Sequence, residues 1–171
     1  MSITERAFKA AGSSVSITRM TEHDLLEVVD IEENSGLSRW GWAAYYAELQ
    51  GNNKNLMLVA RVENASQQRG PQSLAGYIVA RLGAGELHIN NVAVRESYRR
   101  RGVGSDLLNH ILEEGRRLGV PTVFLELRAG NRSALALYEK CGFRVTARRK
   151  KYYSEPVEDA LVMTIQLSPN A

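Results

Sequence analysis

Glu126, Tyr138 and the run Arg99-Arg100-Arg101-Gly102-Val103-Gly104 are the residues of this chain whose types and spacing best suit chemistry. A carboxylate can take a proton from an amine, and a phenol can give one to a leaving group. Glu126 lies in the apolar segment 122–127, and Tyr138 follows twelve residues later in SALALYEKC. A glycine- and arginine-rich turn that opens a helix suits phosphates. The first helical N–H groups are unpaired and partly positive, glycine lets an anion reach the backbone, and guanidinium groups add charge-assisted bonds. The turn lacks the Gly-Lys-Ser/Thr ending of a nucleotide-hydrolysing loop. Together these features point to transfer of a group from a phosphorylated carrier.

Each residue also has a plainer reading. Taken alone, Glu126 reads more readily as a strand-edge charge paired with Arg128 or a helix arginine. Tyr138, flanked by Leu135 and Leu137, reads as an aromatic packed between helix and sheet. Arginine-glycine turns occur in many proteins. Cys141, the one cysteine, ends an apolar helix and reads as buried and inert rather than as an acyl-carrying nucleophile.

The elements that must position these residues follow from periodicity. Val15 to Arg19 reads as a strand. Thr21 and Asp24 form a capping box before a helix carrying Leu25, Val28, Val29 and Glu32. After a turn near Gly36, a second helix is expected over 39–49, then strands over 54–62, 74–82 and 86–94. The polar stretch 63–73 reads as an exposed hairpin loop. The helix after the basic turn places Leu107, Leu108, Ile111, Leu112 and Leu118 on one side and stops at Gly119 and Pro121. A strand over 122–127 follows. Asn131 is the expected N-cap of the next helix, Gly142 its end, and strands over 143–150 and 159–167 complete the chain. This order predicts one mixed, mostly antiparallel α/β sheet with helices on both faces.

The 171 residues fit one domain, expected over 15–168, with 1–14 as a loose tail. At 44% hydrophobic the chain can build a core, and no apolar run is long enough to span a bilayer. The N-terminal stretch lacks the apolar centre of a secretory signal, and a single cysteine forms neither an internal disulfide nor a metal cluster. A cytoplasmic protein without membrane attachment is expected. A net charge of +3 is too mild to argue nucleic-acid binding. Its distribution says more: cations gather at Arg95 to Arg101 and Arg144 to Lys151, and anions at Glu27, Asp30, Glu32 and Glu33. One face then suits phosphates and another a cationic substrate, or both are solvated faces.

The strand INNVAV, the turn RRRGVG and the segment NRSALALYEKCGF resemble, in order and spacing, the GNAT superfamily of acetyl-coenzyme A-dependent N-acetyltransferases. The likeness runs from Val15 to Leu167. LELRAGNRSALALYEKCGF followed by RRKKYY and EDALVM is similar, more narrowly, to the RimI-type enzymes, which acetylate the N-terminal alanine of a small-subunit ribosomal protein. The resemblance implies the GNAT fold and acetyl-coenzyme A as cosubstrate, with no metal. It implies direct transfer in a ternary complex, with a protein or peptide N-terminus as partner.

By the same resemblance Glu126 corresponds to the general base and Tyr138 to the general acid. Arg100, Arg101, Gly102, Val103, Gly104 and Ser105 correspond to the phosphate-binding run. Val92, Ala93 and Val94 correspond to the strand beside the acetyl group and pantetheine, and Asn131 to the capping residue at the cofactor. Trp40, Glu32, Tyr152 and Tyr153 are expected at the substrate groove. The chain departs from the RimI pattern there: Ser38-Arg39-Trp40 keeps only the tryptophan of an aromatic-Pro-Trp run. A GNAT acting on a lysine side chain, polyamine or metabolite is the alternative, and a coenzyme A-binding module without turnover a remoter one.

Overall fold

Strands rich in Val, Ile and Leu build the centre of one sheet in the computed structural model, which describes residues 7–10, 13–51, 54–63 and 74–168. The strands are β1 (Ala7–Ala10), β2 (Ser13–Arg19), β3 (Asn55–Glu63), β4 (Leu74–Gly83), β5 (Glu86–Val94), β6 (Thr122–Arg128), β7 (Arg144–Ser154) and β8 (Val157–Gln166). Their order across the sheet is β1-β2-β3-β4-β5-β6-β8-β7. All neighbours are antiparallel except β5 and β6. That one parallel pair needs a crossover, supplied by helix α3 (Val103–Arg117).

Helices cover both faces. Helices α1 (Leu25–Glu33) and α2 (Gly41–Gln50) pack one side, with Leu25, Val28, Ile31 and Tyr45 against Met57, Val59, Tyr77 and Val79. Helices α3 and α4 (Arg132–Lys140) pack the other, with Leu107, Leu108 and Ile111 against Leu87, Ile89, Val123 and Leu125. β3 and β4, covered on both sides, are almost wholly buried runs, while β6 alternates. β7 is an exposed edge carrying Arg144, Arg148, Arg149, Lys150 and Lys151, and charge there discourages pairing with another chain.

The expected fold class is therefore the observed one. The capping box at Thr21 and Asp24 is present, and Thr21 N–H donates to Asp24 Oδ2 at 2.8 Å. Three details differ from expectation. Residues 7–10, placed in a loose tail, form β1, which pairs the outer edge of β2 from Ala7–Ser16 to Ala10–Ser13. Backbone pairing needs no apolar pattern, so composition could not reveal it. Leu118 is 43% exposed because α3 ends one residue before it. The hairpin loop expected over 63–73 lies, beyond Glu63, outside the described residues.

Two irregularities shape the middle of the sheet. The β4–β5 ladder pairs Val79 with Asn91 and Ala80 with Ile89, so Asn90 is a surplus residue on β5. The β5–β6 ladder pairs Leu87–Val123, His88–Phe124 and Ile89–Leu125 and stops there. Beyond Ile89 and Leu125 the two strands run apart as a fork.

Candidate active site

Glu126 is the first β6 residue past the last β5 pairing, at the root of the fork. Leu125 and Leu127 point into the α3 core, so the pleat turns Glu126 and Phe124 to the opposite face. The Glu126 side chain is only 11% exposed. Its Oε2 lies 2.7 Å from His88 Nε2, and its Oε1 lies 3.6 Å from Arg149 Nη1 on β7. Arg128, a sequence-level partner for Glu126, instead pairs with Glu158 at 3.3 Å and stacks over Tyr153 at 4.2 Å. His88, Phe124 and Arg149 escaped the sequence reading. The signal lay in phase: His88 alternates with the buried Leu87 and Ile89, as Glu126 does with Leu125 and Leu127.

Tyr138 lies on α4, 8% exposed, with its ring edge-on to Phe143 at 5.9 Å. Burial pushes its phenol well above the ordinary range, with the nearby Tyr153 and Cys141 adding to the effect. Tyr153 also feels the Glu126 charge, so it stands electrostatically between base-like and acid-like groups. Tyr152, 49% exposed, meets Tyr153 edge-on at 5.2 Å, and Arg149 lies over its ring at 5.4 Å. The hairpin tyrosines thus border the fork.

The phosphate-type turn is built as its residues suggest. Arg100 has φ 62° and Gly102 φ 87°, and Gly102 is the N-cap of α3 without a side-chain cap. The first bond into the helix runs from Asp106 N–H to Gly102 O at 3.0 Å. The N–H groups of Val103, Gly104 and Ser105 precede it and are the orphan donors of a helix start. The two glycines serve different ends. Gly102 supplies the left-handed backbone. At Gly104 a Cβ would sit 3.1 Å from Leu137 Cδ2, so this glycine lets α3 lie close on α4. Arg101 lies 5.5 Å over the Tyr98 ring.

Arg95 and Arg99 are committed to the fold rather than to an anion. Arg99 Nε donates to Val94 O at 3.0 Å, and Arg95 bonds Asp30 at 2.6 Å and Leu74 O at 3.1 Å. A depression of about 450 Å³ opens beside them, lined by Asp30, Asn34, Val94, Arg95 and Arg99. On β5 the Ala93 methyl is buried toward α1 and α2, while Val92 and Val94 lean on the opposite core. With no β6 neighbour, the backbone of this segment has no ladder partner on its fork side. Asn131 caps α4, its Oδ1 accepting from Ala134 N–H at 3.1 Å.

The substrate-side expectation for Glu32 is overturned. Glu32 is 1% exposed, a buried acceptor for Trp40 N–H at 2.8 Å, Gly41 N–H at 3.0 Å and Tyr45 O–H at 2.7 Å. A carboxylate facing three donors at the start of α2 is drawn inward and offers no charge to a groove. The rest of the acidic cluster is also engaged: Asp30 and Glu27 flank Arg95, and Glu33 lies 3.8 Å from Arg39. Trp40 itself is half-buried, 5.4 Å from the Tyr45 ring and 5.3 Å from the Arg81 guanidinium. Arg81 pairs with His88 in the β4–β5 register, so Trp40, Arg81, His88 and Glu126 share one face of the sheet.

This arrangement provides an anion cradle, an unpaired strand edge and a carboxylate beside that edge. It suits an extended phosphorylated thioester laid into the fork and an amine approaching from the Glu126 face. Among the described residues no cluster of His, Cys, Asp or Glu suits a metal ion, and no helix is long and apolar enough to cross a membrane.

Comparison with known proteins agrees. The chain is 30% identical over 155 residues to a [ribosomal protein bS18]-alanine N-acetyltransferase of Salmonella typhimurium, covering 90% of this chain and 98% of that one. The fold matches the crystal structure of the Escherichia coli ribosomal-protein-S18-alanine N-acetyltransferase with a TM-score of 0.76 at 27% identity, over 92% of this chain and 96% of that one. It also matches Ard1 from Thermoplasma volcanium with a TM-score of 0.78 at 28% identity, over 90% and 98%. Residues 25–143, from α1 through the fork and both α3 and α4 to Phe143, match the Acetyltransferase (GNAT) family, and the chain is a member of that family.

Proposed function

We propose that this acetyltransferase moves the acetyl group of acetyl-coenzyme A directly onto a protein N-terminal amine, with the alanine terminus of a small-subunit ribosomal protein as its first substrate. The observation that carries the reading is the position of Glu126, at the root of the β5–β6 fork and on the face of the sheet opposite α3. The similarity to bS18-alanine N-acetyltransferases supports the substrate.

Each chain residue then has a task. The N–H groups at Val103 to Ser105, Gly102 and the Arg100 and Arg101 guanidiniums hold the pyrophosphate, and Asn131 lines the same side. The free backbone edge at Val92 to Val94 pairs the pantetheine arm, and an N–H near Asn91–Val92 polarises the acetyl carbonyl. Acetyl-coenzyme A supplies an activated thioester. An N-terminal ammonium has a pKa of about 7.7–8.0 and must lose a proton before it attacks. Glu126 takes that proton, the amine nitrogen bonds to the carbonyl carbon, the C–S bond breaks as Tyr138 donates its O–H to the departing sulfur, and the second proton shed by the new amide nitrogen restores the Tyr138 hydroxyl. Trp40, Tyr152 and Tyr153 flank the peptide's first residues. Residues 15–168 act as one catalytic domain, in the cytoplasm.

Intact-mass analysis of ribosomal proteins and of an N-terminal peptide panel, after incubation with enzyme and acetyl-coenzyme A, tests this. The expected result is one acetyl group on alanine-terminal substrates. A free lysine or polyamine acetylated faster than every alanine peptide would overturn the substrate and leave the chemistry standing.

A further inference from the structure

His88 is held from three sides. Its ring stacks on Phe124, the residue opposite it in the β5–β6 register, at 4.4 Å and 5°. Its Nε2 lies 2.7 Å from Glu126 Oε2, and its Nδ1 lies 3.4 Å from the Asn90 side-chain amide. Asn90 is the surplus residue of β5, and its Oδ1 is buried with no hydrogen-bond partner. The two ends of an amide are nearly alike in shape, so either can face the ring. With Oδ1 turned to Nδ1, the orphan acceptor gains a donor, Nδ1–H, and Nε2 is left to meet Glu126.

In that tautomer a carboxylate and an imidazole lone pair face each other at 2.7 Å, a contact that a single proton converts into a charge-assisted hydrogen bond. The pair therefore gains most when it holds one proton. Charged and titratable groups surround it. Arg149 approaches Glu126 from β7, Tyr153 feels the Glu126 charge from the same strand, and Arg81 stands opposite His88 on β4, itself bound to Glu48 of α2.

We propose that His88 completes the base: the proton that Glu126 takes from the substrate ammonium comes to rest on His88 Nε2, while Asn90 Oδ1 holds the ring through Nδ1–H. The inference rests on the reading of Glu126 as the proton acceptor. The step balances. The ammonium becomes an amine, Glu126 ends as it began, and neutral imidazole becomes imidazolium, which later releases its proton to solvent through its exposed edge; the ring is 32% exposed. His88 is thus a positioning residue that also stores the proton. A carboxylate alone, ordinarily titrating at about 4.3, is a weak base for an ammonium, and an imidazole at about 6.5 is better matched.

The test is the pH profile of kcat/KM for an alanine-terminal peptide in wild type, His88→Gln, Asn90→Asp and Glu126→Gln, with acetyl-coenzyme A binding by calorimetry confirming that each variant is folded. Gln at position 88 can donate to Glu126 but cannot hold the proton. The acidic limb is expected to fall by more than about one pH unit, with about tenfold lower plateau activity, within the usual range for losing part of an acid–base system. Asn90→Asp is expected to raise the limb, since a carboxylate at Nδ1–H favours imidazolium. Acidic limbs that stay in place in both variants would overturn the role of His88. If that happens while Glu126→Gln still abolishes turnover, the base assignment survives. Normal turnover by Glu126→Gln would remove both.

Discussion

Glu32 Oε1 accepts from the Trp40 backbone N–H at 2.8 Å, so the tryptophan on the Glu126 face of the sheet is anchored by a carboxylate inside the α1–α2 core. The same carboxylate accepts from the Tyr45 O–H, and the Tyr45 hydroxyl oxygen in turn accepts from Asn91 Nδ2 at 2.8 Å. One buried chain therefore ties the Trp40 turn to the strand that forms one side of the fork.

Glu32→Gln puts an amide NH₂ against a backbone donor. A stability loss of about 1–3 kcal/mol is expected, the usual result of unsatisfying a buried polar group. The Michaelis constant for peptide rises as the Trp40 turn loosens, while acetyl-coenzyme A affinity stays the same. Denaturant unfolding and steady-state kinetics read the two effects, and an unchanged peptide constant would detach Trp40 from the groove.

The Tyr45 O–H donates to Glu32 Oε1, so the Tyr77 O–H must be the donor across their 2.8 Å contact. Burial, first, then Tyr77 and Glu32 hold the Tyr45 phenol far above its ordinary range, and burial does the same at Tyr77. The sign follows. Below about pH 10 these hydroxyls are protonated in folded and unfolded chains alike. Above it the unfolded chain ionises and the folded one does not, so stability present at neutral pH is lost as pH climbs. Tyr77→Phe should cost about 0.5–1.5 kcal/mol at neutral pH and flatten the alkaline decline. Melting curves from pH 7 to 11 would show an unaltered slope if the phenol is not part of it.

Gly104 and Gly102 separate by rescue. Gly104→Ala sets a methyl against Leu137, and Leu137→Ala in the same chain should restore stability and acetyl-coenzyme A binding. Gly102→Ala, at φ 87°, should cost about 1–2 kcal/mol and resist that rescue. Calorimetry on the three variants decides; rescue of both glycines by one partner would mean that backbone conformation at Gly102 is immaterial.

Glu126→Gln should lower turnover by about 10²–10⁴-fold with acetyl-coenzyme A binding little altered, the usual worth of general-base catalysis. The deficit narrows toward alkaline pH, where more of the substrate amine is already neutral. Near-normal turnover at neutral pH would end the assignment.

Tyr138→Phe keeps the contact with Phe143 and removes only the hydroxyl. Acetyl transfer should slow by about 10²–10⁴-fold with a nearly unchanged melting temperature. Early melting with normal turnover would make Tyr138 a packing residue.

Period and punctuation made the sheet and its helices legible. Glu86 to Val94 was placed to the residue because β5 alternates between turn signals, and Asn131 announced α4 because an N-cap has a chemical signature. Glu126 and Tyr138 came from residue type in a recognisable segment. His88, Arg149 and Asn90 did not, because their partners are set by strand neighbours far away in the chain. Glu32 misled for a related reason. A charge among charges reads as surface, and only the folded turn brings three donors to it. β1 had no pattern to read, since edge pairing draws on backbone alone.

The surplus residue on β5 has a consequence for how such a site is lost or gained. Removing Asn90 would let Ile89 and Asn91 follow each other in an unbroken ladder with β4, with Asn91, Val92 and Ala93 keeping their partners Val79, Ile78 and Tyr77 and therefore their faces. The strand would lose the local bend that the surplus residue introduces at the root of the fork. A single-codon deletion would then straighten β5 at the fork while leaving its side chains on their present faces and Glu126, Tyr138 and the Arg99–Gly104 turn untouched.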